Sequence, residues 1–209
     1  MALAITGASG AAYALRLLEV LLYRGERIDL MVSAPGQIVV SMETGLKLPG
    51  RPAEVQRFLS ERFGAADGLL RVYGREEWTA PLASGSSAPR AMVVCPCTTG
   101  TLAGIAAGIS QNLIERAADV VIKEGRKLVL VPRETPFSVI HLENMLRLAR
   151  AGVVILPPNP GFYQNPASVG DLVDFVVARI LDQLGIDNDL AARWGSDQGT
   201  GDPRNAGRR

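Results

Sequence analysis

The sequence predicts an α/β protein with a doubly wound, mostly parallel sheet and helices on both faces. Short, almost continuously apolar runs alternate with segments of helical periodicity along most of the 209 residues. Buried parallel strands have this composition because both of their faces are covered. Gly or Pro closely follows each apolar run and opens a loop. The predicted fold is therefore Rossmann-like or flavodoxin-like, and ligands bind such sheets beyond the carboxyl ends of the strands.

The first half of the chain begins with the run ALAIT, which predicts a strand over residues 2–6. In the next segment, leucines recur on one face of a predicted helix over residues 11–24. The remaining predicted elements of this half are a strand over 27–32, a helix from Gly36 to about Thr44, a loop over 46–52, a helix over 53–63 and a long loop over 74–90.

The second half is more regular, and each of its predicted strands ends at a proline. The predicted strands are AMVVC, KLVLV and VVIL, over 91–95, 127–131 and 153–156. The predicted helices cover 101–108, 111–124, 138–151 and 168–184. From Asp187 onward the chain turns polar. We therefore expect one domain over residues 1–186 and a C-terminal extension over 187–209, whose distal part we expect to be disordered.

Composition and charge disfavour several classes of function. The net charge is only +1, so the basic surplus of a duplex-binding protein is absent. The N-terminus lacks a basic n-region and the long apolar stretches contain charges, so we expect neither a secretory signal nor a transmembrane helix.

The cysteine and histidine content argues against a metal site. Cys95 and Cys97 are the only cysteines, and we expect both to be reduced thiols, pointing the same way from one strand, in a cytoplasmic protein. The only histidine, His141, lies in a helical pattern and is expected to be a packed or surface residue. A structural zinc site needs four ligands, so we expect no metal.

Small and hydroxyl-bearing residues follow three of the predicted strands. The Gly7–Gly10 loop opens a helix, so it suits either a bound phosphate or a tight turn capped by Ser9. Ser33 is predicted to cap a helix or to contact a ligand. The segment from Thr98 to Thr101 offers three hydroxyls and a Gly, either to a ligand or as an ordinary helix cap.

Charged and aromatic residues add a second set of candidates. Arg133 and Glu134 lie between two prolines at a strand end, which favours a functional role. Tyr163 either packs or donates its phenol to an anion. Lys123 and Arg179 are flanked by apolar residues, so each either extends its charge to water or serves a function.

Taken together, these loops resemble the UbiX-type flavin prenyltransferases. The matching segments are ITGASG (5–10), VS (32–33), ETG (43–45), SGS (84–86), PCTTGT (96–101), ERAADVVIKE (115–124), VPRETP (131–136), GFYQNP (161–166), VARILDQLG (177–185) and ARW (192–194). The resemblance implies a metal-independent, FMN-binding flavoprotein. Its implied reaction joins a dimethylallyl group from dimethylallyl monophosphate to N5 and C6 of reduced FMN. The product, prenylated FMN, serves a UbiD-type decarboxylase in ubiquinone biosynthesis or aromatic acid metabolism.

The resemblance also implies roles for individual residues. The residues that map to flavin contacts are Gly7, Ala8, Ser9, Ser33, Ser84, Gly85, Thr98, Thr99, Gly100, Thr101 and Arg133. Those that map to the phosphate of the prenyl donor are Lys123, Arg133, Tyr163 and Arg179. Trp78 is expected to wall the allyl group, Glu134 to shuttle a proton, and Glu43 to assist positioning or proton transfer. Family members are dodecamers, so a neighbouring subunit can supply some of these residues.

Two other readings remain open from the sequence. One is a flavin-dependent decarboxylase of the same fold, although such enzymes use a catalytic His and a P-x-M-N-x-x-M-like segment where this chain has PRETP. The other is a non-catalytic FMN carrier, against which the second set of anion-binding residues argues. The tail beyond Trp194 matches nothing in the family.

Overall fold

The computed structural model describes residues 1–192, and a six-stranded parallel sheet lies at its centre. Its strands are β1 (Ala2–Ile5), β2 (Ile28–Val32), β3 (Leu70–Tyr73), β4 (Ala91–Cys97), β5 (Lys127–Pro132) and β6 (Val154–Ile155). The strand order is β3-β2-β1-β4-β5-β6, with every neighbouring pair parallel. This is the Rossmann order, whose direction reverses between β1 and β4 and leaves a ligand crevice there. The predicted fold class is confirmed.

Seven α-helices cover the sheet within the described residues. They are α1 (Ala11–Tyr23), α2 (Ala34–Thr44), α3 (Pro52–Phe63), α4 (Thr99–Ala106), α5 (Leu113–Lys123), α6 (Val139–Arg150) and α7 (Val169–Leu184). All seven were predicted, but α2 begins two residues before the predicted Gly36 because Ser33 caps it. None of these helices is long and apolar enough to cross a membrane.

The helices pack in two layers, one on each face of the sheet. The first layer contains α1, α2, α3 and α7, whose buried side chains contact Leu3 and Ile5 of β1. The second contains α4, α5 and α6, whose buried side chains contact Ala2 and Ala4 of the same strand. Successive residues of a strand face opposite sides, so β1 is buried on both faces, as its apolar sequence predicts.

The sequence prediction missed β3 and ended β4 too early. β3 has four residues, of which only Leu70 is buried, and it pairs with β2 alone at one side of the sheet. β4 continues past the predicted end at Pro96 to Cys97. A register shift between Val94 and Cys97 accommodates the proline, which has no N–H for the strand ladder. The predicted loop over 74–90 is confirmed, with two short 3₁₀ turns inside it.

The two cysteines do not point the same way, so that expectation is wrong. Both are free and buried, but Cys95 packs in the first layer and Cys97 in the second. The register shift between them reverses the alternation of side chains. Burial raises the pKa of both thiols, that of Cys97 to about 12, so neither is an activated nucleophile.

His141 has a structural role at the start of α6. Its Nδ1 accepts a hydrogen bond from the backbone N–H of Ser138 at 3.2 Å, while the Ser138 hydroxyl accepts one from the backbone N–H of His141. This reciprocal capping box confirms the prediction of an ordinary helix histidine.

The disorder expected for the distal part of the C-terminal extension concerns residues outside the described range of 1–192.

Candidate active site

A cavity of about 220 Å³ opens at the carboxyl end of the sheet, where three helices begin. Ser33 at the start of α2, Thr98 at the start of α4 and Asn112 at the start of α5 all line it. The first turn of a helix carries unpaired backbone N–H groups and a partial positive charge. Three helix N-termini around one cavity therefore suit an anion such as the phosphate of FMN.

Side-chain caps fix the helix starts around this cavity. The Ser33 hydroxyl accepts a hydrogen bond from the N–H of Gly36 at 3.1 Å. The Thr98 hydroxyl accepts one from the N–H of Thr101 at 3.1 Å and donates to the Thr101 hydroxyl at 2.9 Å. The capping interpretation of Ser33 and Thr98 is thus correct, and their predicted contacts with FMN stay predictions.

Close backbone approaches explain the glycines in two of the loops. A Cβ on Gly7 would lie 2.4 Å from Cβ of Pro35, and a Cβ on Gly36 would lie 2.6 Å from the carbonyl oxygen of Ile5. Thr6 joins the next loop, since its hydroxyl donates to the Pro96 carbonyl at 2.7 Å and accepts from the Thr98 N–H at 2.8 Å. The loops after β1, β2 and β4 are therefore packed closely together, and neither Gly7 nor Gly36 has space for a side chain.

Glu43 binds the N-terminus of α1, where the sequence suggested either a phosphate or a cap by Ser9. The cap by Ser9 is wrong, because the N-cap residue is Gly10, which has no side chain to accept a hydrogen bond. Its carboxylate accepts hydrogen bonds from the N–H groups of Gly10 at 2.9 Å and Ala11 at 2.8 Å. Partial burial raises the pKa of Glu43, but hydrogen bonds from Ser9, Gly10 and Ala11 outweigh it, and the net pKa is lowered. These two amides are therefore already occupied, and a phosphate fits better at the cavity formed by α2, α4 and α5.

Arg133 contacts the same loop. Its Nε donates to the carbonyl of Ser9 at 3.3 Å, and its backbone N–H donates to the Cys97 carbonyl at 3.3 Å. Glu134 follows it at the end of β5, and its carboxylate accepts the N–H of Thr135 at 3.1 Å. The structure thus gathers one group of predicted site residues at the carboxyl end of the sheet: Gly7, Ala8, Ser9, Ser33, Glu43, Thr98, Thr99, Gly100, Thr101, Arg133 and Glu134.

Tyr163 and Arg179 form a second group. They line a cavity of about 550 Å³ between α7 and the segment over residues 185–192. The Tyr163 ring packs edge-on against Phe175, with 5.9 Å between the ring centroids. Arg179 is held by Asp182, one turn further along α7, at 2.7 Å. The guanidinium and the phenol therefore line one concave site, which also contains the carboxylates of Asp182 and Asp187.

Lys123, Ser84 and Gly85 form a third group, at the amino end of the sheet. Lys123 is the last residue of α5, and β5 begins four residues later at Lys127. A Cβ on Gly85 would lie 2.7 Å from Nζ of Lys123. Because α5 has 11 residues, it carries the chain about 16 Å from the cavity at its N-terminus. One chain therefore does not bring Lys123 to the predicted site residues at the carboxyl end of the sheet.

Trp78 lies in the loop that connects β3 to β4. Its side chain is 47% exposed. The end of β3 and this loop supply cavity-lining residues that were not predicted from the sequence, namely Tyr73, Gly74 and Arg75. Asn112, also missed, carried a sequence signal, because Asn before an apolar helix is a typical N-cap. Within residues 1–192 no three His, Cys, Asp or Glu side chains group as metal ligands.

Comparison with known proteins shows the family. The chain matches the Flavoprotein family over residues 1–181. It is 60% identical over 193 residues to the flavin prenyltransferase UbiX of Pseudomonas aeruginosa, covering 92% of each chain. It is 48% identical over 194 residues to the flavin prenyltransferase UbiX of Halalkalibacterium halodurans, covering 93% of this chain and 92% of that one.

Solved structures agree with this result. AnUbiX (PadA1), crystallised with FMN and dimethylallyl pyrophosphate, superimposes with a TM-score of 0.82 at 40% identity, covering 93% of this chain and 96% of that one. A dodecameric, FMN-dependent Ubix-like decarboxylase from Escherichia coli O157:H7 gives 0.80 at 43% identity, covering 94% of this chain and 100% of that one. The chain therefore belongs to the Flavoprotein family and, within it, to the UbiX flavin prenyltransferases.

Proposed function

We propose that this protein is a flavin prenyltransferase that joins a dimethylallyl group from dimethylallyl monophosphate to N5 and C6 of reduced FMN. The observation that carries the proposal is that predicted site residues line two separate cavities. One is the cavity where α2, α4 and α5 begin, and the other contains Tyr163 and Arg179. A protein that only stored FMN would need the first site alone, whereas a prenyl donor brings a second phosphate.

The residues around the first cavity suit FMN. Ser33, Thr98 and Thr101 present hydroxyls and helix N-termini to its phosphate. The compact loop over residues 7–9 lets the backbone approach a flat ring closely, and Arg133 lies beside that loop. When bound, reduced flavin supplies the nucleophilic atoms that accept the dimethylallyl group.

The second group stabilises the leaving phosphate. The bond between the allylic carbon and oxygen breaks only if the negative charge that develops on the phosphate is stabilised. The Arg179 guanidinium and the Tyr163 phenol supply fixed donors, and Arg133 and Lys123 supply further positive charge. We expect Trp78 to shield the allyl group from water and Glu134 to move a proton between phosphate and flavin. Glu43 assists by fixing the loop that carries Ser9.

We also propose that the active site is completed by a neighbouring subunit in a dodecamer. Lys123 lies at the amino end of the sheet in its own chain, so its contact with the substrate phosphate requires a second copy. The Escherichia coli relative is dodecameric. Exposed apolar residues on two helices suit such subunit contacts: Ile38 and Met42 on α2, and Val139, Leu142 and Leu146 on α6.

The decarboxylase alternative fits the structure less well. Flavin-dependent decarboxylases of this fold require a catalytic His. His141 is instead used in the capping box of α6, where Ser138 occupies its Nδ1. We infer that the product passes to a UbiD-type decarboxylase, and the buried thiols Cys95 and Cys97 are compatible with the expected cytoplasmic location.

An anaerobic single-turnover assay tests the proposed function. The purified protein is incubated with reduced FMN and dimethylallyl monophosphate, and the molecular mass of the extracted flavin is measured by mass spectrometry. A gain of one C5H8 unit is expected. An unchanged mass, with FMN shown to be bound, would overturn the proposal and direct attention to thiol-bearing acids as substrates.

A further inference from the structure

The cavity at the three helix N-termini has lining residues to which the proposed function assigns no contact with a ligand. They include Tyr73, Gly74 and Arg75, at and beyond the end of β3, and Asn112 at the start of α5. The same cavity is lined by Ser33, Thr98 and Thr101. An anion that binds to the three helix N-termini therefore also faces the segment after β3.

Backbone hydrogen bonds hold this segment in place. The carbonyl of Arg75 accepts the N–H of Leu113, in the first turn of α5, at 2.8 Å. One residue earlier, the N–H of Gly74 donates to the carboxylate of Glu77 at 2.9 Å. The backbone of Arg75 is therefore held against the start of α5, beside the cavity.

Arg75 supplies a charge that the rest of the cavity lining lacks. Among the described residues that line the cavity, it is the only one with a charged side chain. Within residues 1–192 its guanidinium forms no ion pair. A phosphomonoester carries close to two negative charges at neutral pH, and a guanidinium binds its oxygens through two parallel hydrogen bonds.

Asn112 adds a neutral donor at the same place. Its Oδ1 accepts the N–H of Glu115 at 3.0 Å and so caps α5. Its Nδ2 group has no partner in the described part of the chain. The cap fixes the orientation of the amide, so its N–H groups remain available to an acceptor in the cavity.

We propose that Arg75 is a further FMN-binding residue, which contacts the phosphate of the cofactor, with Asn112 donating beside it. The inference depends on FMN binding in this cavity, as in the proposed function, but not on prenyl transfer. It predicts that the contribution of Arg75 is confined to flavins that carry the phosphate. Riboflavin has the same ring and ribityl chain without that group, so it separates the two effects.

The test compares the dissociation constants of FMN and riboflavin for the wild type, Arg75→Gln and Arg75→Lys. Arg51→Gln is the matched control, because it removes an exposed cation at the start of α3. We expect Arg75→Gln to weaken FMN binding by about tenfold, as for the loss of one charge-assisted contact, without changing riboflavin binding. Arg75→Lys should restore part of the loss, and the salt dependence of FMN binding should decrease in Arg75→Gln.

Two results would overturn the assignment. An equal loss of FMN and riboflavin affinity in Arg75→Gln would show a structural effect on the loop. An FMN affinity equal to that of Arg51→Gln would show that Arg75 does not contact the phosphate. The outcome of this test is separate from that of the proposed function. A protein that binds FMN through Arg75 but never prenylates it would support the assignment of Arg75 and contradict the proposed prenyl transfer.

Discussion

Lys123 and Arg133 lie at opposite ends of strand β5, although both are predicted to contact one leaving phosphate. The strand between them, Lys127–Pro132, has six residues, which span about 20 Å at 3.3 Å per residue. A phosphate group is far smaller than this distance. The two residues can therefore act on one substrate only if they come from different copies of the chain.

Replacement of Lys123 by Ala should separate cofactor binding from chemistry. Lys123 lies at the far end of α5 from the FMN cavity of its own chain. We expect Lys123→Ala to retain FMN affinity within about twofold and to lose at least about a hundredfold in prenyl transfer, typical of a lost transition-state charge contact. Lys47→Ala, which removes an exposed cation elsewhere, is the control. Equal loss of FMN affinity in Lys123→Ala would contradict the assignment to the second phosphate.

Glu134→Gln should affect proton transfer more than binding. The side chains are nearly isosteric, but the amide cannot carry a proton between phosphate and flavin. We expect unchanged binding of dimethylallyl monophosphate and a single-turnover rate lowered about 10²-fold or more. Glu143→Gln on α6 is a suitable control. A single-turnover rate equal to that of the wild type would remove Glu134 from the proton path.

Tyr163→Phe tests the phenol without removing the ring. The ring would keep its edge-on packing against Phe175, so only the hydroxyl is lost. We expect the KM for dimethylallyl monophosphate to rise about tenfold while FMN affinity is unchanged, because one hydrogen bond to a charged group is missing. Tyr23→Phe, at an exposed position of α1, is the control. An unchanged KM would place the Tyr163 hydroxyl outside the substrate site.

Glu43→Gln tests the carboxylate that binds the start of α1. Hydrogen bonds hold the pKa of Glu43 below its ordinary value of 4.5. Its contribution to stability is therefore present above that value and is lost as pH falls through the lower pKa of the folded state. At pH 7 we expect Glu43→Gln to lower the free energy of unfolding by about 1 kcal/mol, which corresponds to about 2–4 °C in Tm. The expected loss is smaller than the largest losses known for helix caps, because the carboxylate is partly exposed to solvent.

The difference in the free energy of unfolding between Glu43→Gln and the wild type should shrink as pH falls below 4. Denaturant unfolding at several pH values measures this difference. Glu61→Gln, near the end of α3, is the control, because an acid there is not expected to depend on a helix N-terminus. A difference that stays constant between pH 7 and pH 3 would contradict the assigned role of the charge.

The fold was largely predictable from the sequence because the apolar runs and helix periodicities are strong. β3 was missed because it is a four-residue strand with one buried residue, so its pattern is too short to recognise. The end of β4 was missed because proline normally terminates a strand, whereas here a register shift accommodates Pro96. Both errors concern features that depend on neighbouring strands rather than on local sequence.

The candidate site was predictable in its residues but not in its arrangement. The family resemblance named Lys123 and Arg133 together, and only the topology shows that one chain keeps them apart. The engagement of Glu43 with the start of α1 joins residues 32 or more positions apart, which spacing in a sequence does not reveal. Arg75 was not predicted as a site residue, because β3, the strand that ends two residues before it, was not predicted either.

The most direct measurement is a complementation assay with Lys123→Ala and Arg133→Ala subunits. Each variant is assayed alone and after co-expression with the other. The molecular mass of the extracted flavin is measured by mass spectrometry after anaerobic reaction of reduced FMN with dimethylallyl monophosphate. We expect each variant alone to be inactive. In the mixed oligomer, random assembly should produce sites of which about a quarter contain both Lys123 and Arg133. Formation of prenylated FMN should therefore be partly restored. No C5H8 gain in the mixture, with mixed oligomers demonstrated and the wild type active, would contradict a site shared between subunits.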